Sequence, residues 1–256
     1  MLMCLPYNPG EVAAVSPGMP PLTGCRRRRI ENRSMGPKPS ESSPYVPGHF
    51  AIYDVSVMRA LMQSIGICTL ITLGDELDAS LVPLVLCPTG EGGLGILRGH
   101  LAKANRQLAR RRDDVRALAI FQGAAHYITP SWYETKRRTG KVVPTYDYVV
   151  VQARGHLRTI GDRARVRDHL EALTARHEAS VGSDWRMSDA PDDYVESMLD
   201  GIFAFELSID ELVGKWKLSQ NRPADDIDGV VSGLAGVGPP RARAVAELVA
   251  RFRPSR

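Results

Sequence analysis

Strand-like segments joined by short connections dominate the first half of the chain, and they constrain the fold more than any other feature. Ile67–Leu73 and Ala79–Leu86 are apolar runs on either side of the turn sequence GDELD, which indicates a β-hairpin. Leu94–Arg98 and Val115–Phe121 have the same character. Because short connections favour antiparallel pairing, we predict an α+β fold in which an antiparallel barrel or curved sheet carries helices on its outside.

Helical patterns occur before, between and after these strands. Asp54 can cap a helix whose apolar residues recur at positions 55, 58, 61, 62 and 65 and which ends near Gly66. Leu101–Arg110 contains helix-forming residues and follows the break at Gly99-His100, so we predict a helix there. Further helices are predicted over Arg163–Ala179, Pro191–Leu199 and Arg241–Arg253, and long strands over Asp147–Thr159 and Gly201–Leu212.

Composition divides the chain into three regions. Residues 1–44 are rich in Pro, Gly, Ser and Arg without a hydrophobic period, so we expect a disordered or mis-assigned N-terminal extension, with Met35 as an alternative start. Residues 45–234 are the expected folded domain, and residues 235–256 the expected C-terminal helix. The net charge is +4, and much of the basic excess lies in Arg26–Arg29 and Arg110–Arg112, so the whole molecule need not bind a polyanion.

The cysteines and the apolar segments bear on metal binding and location. Cys4, Cys25, Cys68 and Cys87 form no CxxC pair and have no His at ligand spacing, which argues against a zinc site and against a redox-active dithiol. A reducing cytoplasm fits this pattern, so we expect cytoplasmic localisation. No stretch approaches the roughly 20 apolar residues of a membrane-spanning helix, so we expect no membrane partner.

Two segments, Phe121–Tyr148 and Gly214–Arg222, crowd aromatic and cationic residues beside Gly and Pro without a long period. Flat rings beside cations suit a planar, anionic ligand such as a flavin or a nucleotide. The aromatic residues of the first segment can also pack a core or a subunit interface, which their composition alone favours slightly. We expect the second segment to be a polar loop that follows an apolar strand. The candidate binding residues are Trp132, Lys141 and Tyr146 in the first segment and Trp216, Lys217, Gln220 and Arg222 in the second.

A phosphate site is the second candidate feature, because Gly99–Asn105 stands where a strand is predicted to end and a helix to begin. Free N–H groups of a first helical turn, together with the Lys103 ammonium and the Asn105 amide, suit a phosphate group. The same residues can simply cap the helix, and their spacing does not decide between the two interpretations. The sequence contains no GxSxG, HExxH, P-loop or GxGxxG pattern that would name a catalytic residue.

Six segments in order along the chain carry a family resemblance. They read YVPGHF at 45–50, RGHLAKAN at 98–105, FQGAAHYITPSWY at 121–133, GKVVPTYDY at 140–148, LTARHE at 173–178 and GKWKLSQNRP at 214–223. Together they resemble the PaiB family, whose members are described as FMN-binding negative transcriptional regulators. The resemblance implies a split β-barrel of the FMN-binding, pyridoxamine-phosphate-oxidase-like type and a homodimer with FMN at the subunit interface. It also implies repression of genes for sporulation and secreted degradative enzymes.

The resemblance also implies where FMN binds. The strand Ala79 to Leu84, which includes Ser80, would lie against the isoalloxazine ring, and KWKLSQNR would close the site. Within RGHLAKAN, the implied phosphate-binding residues are Arg98, His100, Lys103 and Asn105. The chain departs from the family at Gly123-Ala124, where Gly-Pro is usual, and at Tyr146-Asp147, where Trp-Asn is usual, so we expect a negative charge beside the flavin.

Two other functions remain open. A flavin-dependent oxidoreductase would use the same pocket, with His126 or Lys217 as proton donor. A weak nucleic-acid binder would use Leu234–Ala244, whose sequence LAGVGPPRARA resembles half of a helix-hairpin-helix. An ordinary Gly-Pro turn before a surface helix is the favoured interpretation of that segment, since single hairpins bind weakly.

Overall fold

The computed structural model describes residues 44–74, 76–87, 93–109, 114–238 and 240–254. Its strands are Ala51–Ile52 (β1), Ile67–Leu73 (β2), Leu77–Cys87 (β3), Ile96–Ala102 (β4), Val115–Ile128 (β5), Thr145–Ile160 (β6) and Ile202–Lys217 (β7). Its α-helices are Val55–Ile65 (α1), Arg106–Ala109 (α2), Glu134–Thr139 (α3), Arg163–Val181 (α4), Asp192–Asp200 (α5), Ala224–Val237 (α6) and Pro240–Arg251 (α7). The basic runs at 26–29 and 110–112, and the predicted extension apart from residue 44, lie outside the described residues.

The strands β2 to β7 close into an antiparallel barrel. The hydrogen-bonded order is β1-β7-β4-β3-β2-β5-β6, and an additional pairing of β6 with β7 closes the ring. The predicted hairpin is β2–β3, with Leu73 opposite Leu77 beside the GDELD turn. The predicted α+β fold with an antiparallel barrel and outer helices is therefore confirmed.

Strand alternation fills the barrel with apolar side chains. In β6 every second residue from Asp147 to Leu157 is buried, and the residues between them are less buried. The same period buries Cys68 and Leu70 in β2 and Leu97 in β4. These side chains form one hydrophobic core with apolar residues of α1, α6 and α7.

The helices pack on the barrel through apolar faces. Val245 and Val249 of α7 are buried in the main core, and the predicted domain boundary at residue 234 falls inside α6. A smaller cluster, which includes Val166 of α4 and Leu199 of α5, packs near the start of β7. No helix in the described ranges is long and apolar enough to cross a bilayer.

The predicted helix over Leu101–Arg110 is wrong. Strand β4 continues to Ala102 because its ladder with β7 continues, with His100 opposite Ala204 and Ala102 opposite Ile202. Of the described residues in this range, Arg106–Ala109 are helical. Strand pairing between distant parts of the chain overrides the local helix propensity of this segment.

The prediction that Gly214–Arg222 is a loop is also wrong for its first half. Strand β7 continues through Lys217 because it closes the barrel against β6, with Gly214 opposite Val151 and Trp216 opposite Val149. The chain leaves the sheet only after Lys217, through a turn in which the Arg222 N–H donates to the Ser219 carbonyl. Half of the predicted ligand loop is therefore part of the barrel wall.

Candidate functional site

A cavity of about 130 Å³ lies where β6 begins and β7 ends. Its lining combines three apolar residues with two cations, an amide and two hydroxyls. The lining residues are Phe50, Val143, Pro144, Thr145, Lys217, Ser219, Asn221 and Arg222. The predicted residues Lys217 and Arg222 are thus brought together, in a place set by the pairing of Tyr148 with Lys217 across β6 and β7.

Lys217 is held firmly in this cavity. Its ammonium donates to the Thr145 hydroxyl at 2.5 Å and to the Tyr146 carbonyl at 2.6 Å, and lies 3.7 Å from the Asp147 carboxylate. Burial lowers the pKa of Lys217 from its ordinary value, and the nearby carboxylate opposes that shift. Lys217 is therefore a cation whose position is fixed before any ligand arrives.

Asp147 is fully buried beneath the cavity. The Ser219 hydroxyl donates to Asp147 Oδ2 at 2.7 Å, whereas Oδ1 accepts no hydrogen bond from the described residues. Burial raises the pKa of the Asp147 carboxyl above its ordinary value, against the effects of Ser219 and Lys217. Strand β6 turns the Asp147 side chain into the core, and the expectation that this residue places a negative charge beside a flavin stays a prediction.

The turn after β7 positions Arg222. The Gln220 side chain accepts from the Leu218 N–H and donates to the Trp216 carbonyl, each at 2.7 Å, so Gln220 shapes the turn. The Arg222 guanidinium lies over the Tyr133 ring, 4.5 Å from its centroid. Arg222 therefore faces the cavity from a stacked position, with its charge near an aromatic face.

The two predicted tryptophans are not free flat surfaces. Trp216 is 2% exposed, and its ring packs 6.4 Å from that of Phe252, so it belongs to the core. Trp132 is partly buried in the turn before α3, with its ring against Gly233 of α6 and stacked 6.4 Å from His126. The packing interpretation of the aromatics therefore describes both tryptophans in this structure.

Tyr146 and Lys141 are the exposed candidate residues of the first segment. The Tyr146 ring meets that of Tyr127 edge to face at 5.7 Å, and both rings are well exposed. Tyr146 directly follows the cavity residue Thr145, and Lys141 lies in the exposed stretch between α3 and β6.

The predicted flavin-binding residues around β3 and β4 mostly form hydrogen bonds or ion pairs within the protein. Ser80 accepts a hydrogen bond from Asn105 at 3.0 Å, and Arg98 pairs with Glu206 at 2.7 Å. The backbone N–H of Lys103 donates to the Gly201 carbonyl and that of Asn105 to the Ala102 carbonyl. The predicted free N–H groups are therefore absent at these two positions, and what remains for a ligand is the exposed Lys103 ammonium.

His100 also has an internal partner. Its Nδ1 lies 3.3 Å from Nε2 of His169 in α4, which is 1% exposed. Burial lowers the pKa of His169 to about 4, with further lowering by His100 and Arg98. The pair is consequently neutral near pH 7 and fixes α4 on the outside of β4.

An apolar surface covers the outside of β2 and β3. Ile67 and Leu73 of β2 and Leu77 and Leu81 of β3 are 44% to 71% exposed. The register places Leu73 beside Leu77, and Leu81 beside Thr69. We call these four residues the β2–β3 face.

Several cavity residues were not predicted. Phe50, Thr145 and Ser219 line the cavity beside the predicted Lys217 and Arg222. Ser219 has a left-handed backbone, with φ of 61°, which only the folded turn reveals. Thr145 and Ser219 belong to the segments GKVVPTYDY and GKWKLSQNR, so the sequence information that could have identified them is their presence in these two motifs.

A closed antiparallel barrel with outer helices and a cationic cavity at the strand ends defines a split-barrel ligand-binding protein. A family model described as "Putative FMN-binding domain" matches residues 44–211, more than half of the chain. The chain belongs to this FMN-binding family, and FMN is its cofactor.

Individual relatives agree with this family. An uncharacterized protein of Emericella nidulans is 34% identical over 240 residues, covering 80% of this chain and 96% of that protein. Protease synthase and sporulation protein PAI 2 of Bacillus subtilis is 28% identical over 153 residues, covering 60% of this chain and 71% of that protein. The FAD and heme binding protein of Mycobacterium smegmatis shares the fold, with a TM-score of 0.51, 16% identity, and coverage of 72% and 80% of the two chains. The resemblance to PaiB is thereby confirmed.

The residues present fit FMN. A flavin needs apolar contacts for its ring and cations for its phosphate, and the surface offers the β2–β3 face and the exposed Lys103 ammonium. The cavity of about 130 Å³ is smaller than the roughly 300–1,000 Å³ of ligand pockets, so it can hold only part of such a molecule. When bound, FMN supplies electron and hydride transfer.

Proposed function

We propose that the protein is a PaiB-type regulator that works as a homodimer with FMN at the subunit interface. The observation that carries this proposal is the β2–β3 face, where four large apolar side chains stand exposed on adjacent strands. Contiguous apolar surface of this kind is typical of an interface. A second copy of the chain is the proposed occupant, because a two-fold interface pairs the same surface of each subunit.

The register supports placing the flavin ring beside this face. Ala79 of β3 pairs with Ile71 of β2, and Ile71 pairs on its other side with Leu118 of β5, so the apolar surface extends over three strands. The Asn105–Ser80 hydrogen bond brings the segment that carries Lys103 next to β3. A ring on β3 and a phosphate at Lys103 are therefore compatible with one bound FMN.

A charge placed on the β2–β3 face tests the dimer. Leu81→Arg would bury an unpaired charge in the interface, so we expect a monomer at micromolar concentration in sedimentation, with FMN retention lost. Val237→Arg, at the exposed end of α6, is the matched control and leaves the dimer intact. A monomeric wild type, or a dimeric Leu81→Arg variant, contradicts the proposal.

Lys103 tests the position of the phosphate. Lys103→Ala is expected to weaken FMN by about 1–3 kcal/mol, the scale of a lost charged hydrogen bond, and to leave riboflavin binding unchanged. Lys136→Ala on α3 removes another exposed lysine as a control. If Lys103→Ala lowers the affinity for FMN and for riboflavin equally, Lys103 does not bind the phosphate and the phosphate binds at another position.

The regulatory role is proposed from the PaiB family and the Bacillus subtilis relative, whose name refers to sporulation. A flavin-dependent oxidoreductase is the alternative, and Lys217, with its lowered pKa, is its best proton donor. Oxidation of reduced nicotinamide cofactor by the FMN-loaded protein separates the two, since a regulator shows no turnover.

The free thiols Cys68 and Cys87 support a cytoplasmic location.

Direct DNA contact is the third possibility, and the helical hairpin of α6 and α7 is its support. Gly238 joins the helices with φ of 89°, and Arg241 and Arg243 are exposed on the first turns of α7. Electrophoretic mobility shift of Arg241→Gln and Arg243→Gln at several salt concentrations tests direct DNA contact. Removing a residue that contacts a DNA phosphate lowers the salt dependence of the binding affinity.

A further inference from the structure

We propose that the cavity between Thr145, Lys217, Asn221 and Arg222 binds an oxyanion, that is, a phosphate or carboxylate group. This inference rests on the residues of the cavity and not on the dimer or the flavin position proposed above. The proposed anion site is separate in position from Lys103 at the end of β4.

The size of the cavity suits a group of a few heavy atoms. Its volume of about 130 Å³ is close to the roughly 150 Å³ of an engineered protein cavity that binds benzene. Phe50, Val143 and Pro144 add apolar surface to the lining, so the occupant can carry a short apolar part beside its charged group. The polar lining residues supply the hydrogen-bond donors.

Arg222 is the principal ligand in this proposal. Its guanidinium forms no ion pair with a carboxylate in the part of the chain that the structure describes, although its side chain is partly buried at the cavity. The contact with the Tyr133 ring holds the Arg222 guanidinium at the cavity, and the N–H groups of a guanidinium lie in one plane. A planar fork of donors matches the two oxygens of a phosphate or carboxylate.

Thr145 and Lys217 complete the donor set. Because Thr145 Oγ1 accepts from Lys217, its own proton is available for a ligand. Lys217 uses two of its donors on Thr145 and Tyr146, and the buried Asp147 carboxylate 3.7 Å away offsets part of its charge. Arg222 thus contributes most of the uncompensated positive charge.

Two sources of the oxyanion share this chemistry. It can be the phosphate of FMN, in which case the flavin reaches from this cavity rather than from Lys103. It can instead be the acid group of a separate small ligand that binds beside the flavin. The experiment below distinguishes them.

Inorganic phosphate and acetate are the probes, measured by calorimetry on the full-length protein without flavin. Wild type is expected to bind them saturably, and Arg222→Gln to weaken binding by about tenfold or more, the effect of losing a charged hydrogen bond. Arg251→Gln on α7 loses the same charge at an exposed position over an aromatic ring and serves as the matched control, with affinity unchanged. Thr145→Val removes only a hydroxyl and reports on the cavity if the Arg222 variant does not fold.

The second arm repeats the titration on FMN-loaded protein. If FMN excludes phosphate, and Arg222→Gln removes the preference for FMN over riboflavin, the flavin phosphate occupies the cavity. If FMN-loaded protein still binds phosphate and the flavin preference is unchanged, a separate ligand is the occupant. Absence of saturable binding in wild type, or equal binding by wild type, Arg222→Gln and Thr145→Val, overturns the proposal. Neither outcome depends on whether the protein is a dimer.

Discussion

Gly229 of α6 supports the turn that carries Trp132, and replacing it by Ala tests that contact. A Cβ atom at residue 229 would lie 1.9 Å from the Trp132 carbonyl oxygen, whereas real Cβ contacts are essentially never closer than 3.0 Å. The turn therefore has to move away from α6. Because the obstacle is backbone, no side-chain rotation relieves it.

Two opposing effects determine how much Gly229→Ala changes the free energy of unfolding. Overpacking of this kind costs about 1–3 kcal/mol, and Gly→Ala in a helix contributes about 1 kcal/mol of stability. Gly236→Ala is the matched control in the same helix, because its Cβ meets nothing within 4 Å. Urea denaturation should find Gly229→Ala about 1–3 kcal/mol less stable than Gly236→Ala, with an unchanged m-value.

A substitution at Gly233 distinguishes contact with the Trp132 ring from contact with the Trp132 backbone. A Cβ atom there would lie 2.3 to 2.5 Å from the Trp132 indole ring. Trp132→Ala should therefore offset the loss caused by Gly233→Ala and leave the loss caused by Gly229→Ala in place. Equal stability of Gly229→Ala and Gly236→Ala would refute the proposed close contact between α6 and the turn.

Three further predictions concern buried groups. His169 has a pKa lowered to about 4 in the folded protein, so the unfolded chain binds the His169 proton first and stability is lost as pH falls from 6.5 towards 4. His169→Gln should reduce this loss of stability in denaturation experiments at different pH. His177→Gln, at an exposed position on the same helix, should not reduce it. The raised pKa of Asp147 means that its contribution to stability is present below its ordinary pKa of 3.8 and is lost as pH rises through the folded pKa, so the stability of Asp147→Asn relative to wild type should increase with pH across that window. Trp216→Ala removes a core side chain and should cost about 3–5 kcal/mol in urea denaturation, whereas Trp185→Ala, at a 44% exposed residue, should cost much less.

The sequence predicted those parts of the fold whose signals are local. The β2–β3 hairpin and α1 were predicted with nearly their observed bounds, because a turn sequence and an Asp54 cap mark their ends. Strand β6 alternates buried and less buried residues, and that period is visible in the sequence. Each of these elements carries its own start and stop signals.

Elements whose ends depend on distant partners were missed. Strand β4 ends at Ala102 because β7 pairs with it that far, and β7 ends at Lys217 because its pairing with β6 ends at Tyr148. Neither ladder is readable from a single segment. The same reason explains why Arg98 and His100 looked like ligands, since their partners Glu206 and His169 lie far along the chain.

The segment GKWKLSQNR combines two functions that its composition does not separate. Trp216 and Leu218 are buried and help close the barrel, while Lys217 lies between them in sequence and lines the cavity. Gln220 then ties the backbone of Trp216 and Leu218 together, and the resulting turn places Arg222 over Tyr133. Loss of ligand binding after a change at Trp216 or Gln220 can therefore come from loss of the barrel wall. A change at Arg222 is expected to affect the core less than one at Trp216, because its side chain is only partly buried and it contributes to the turn through its backbone.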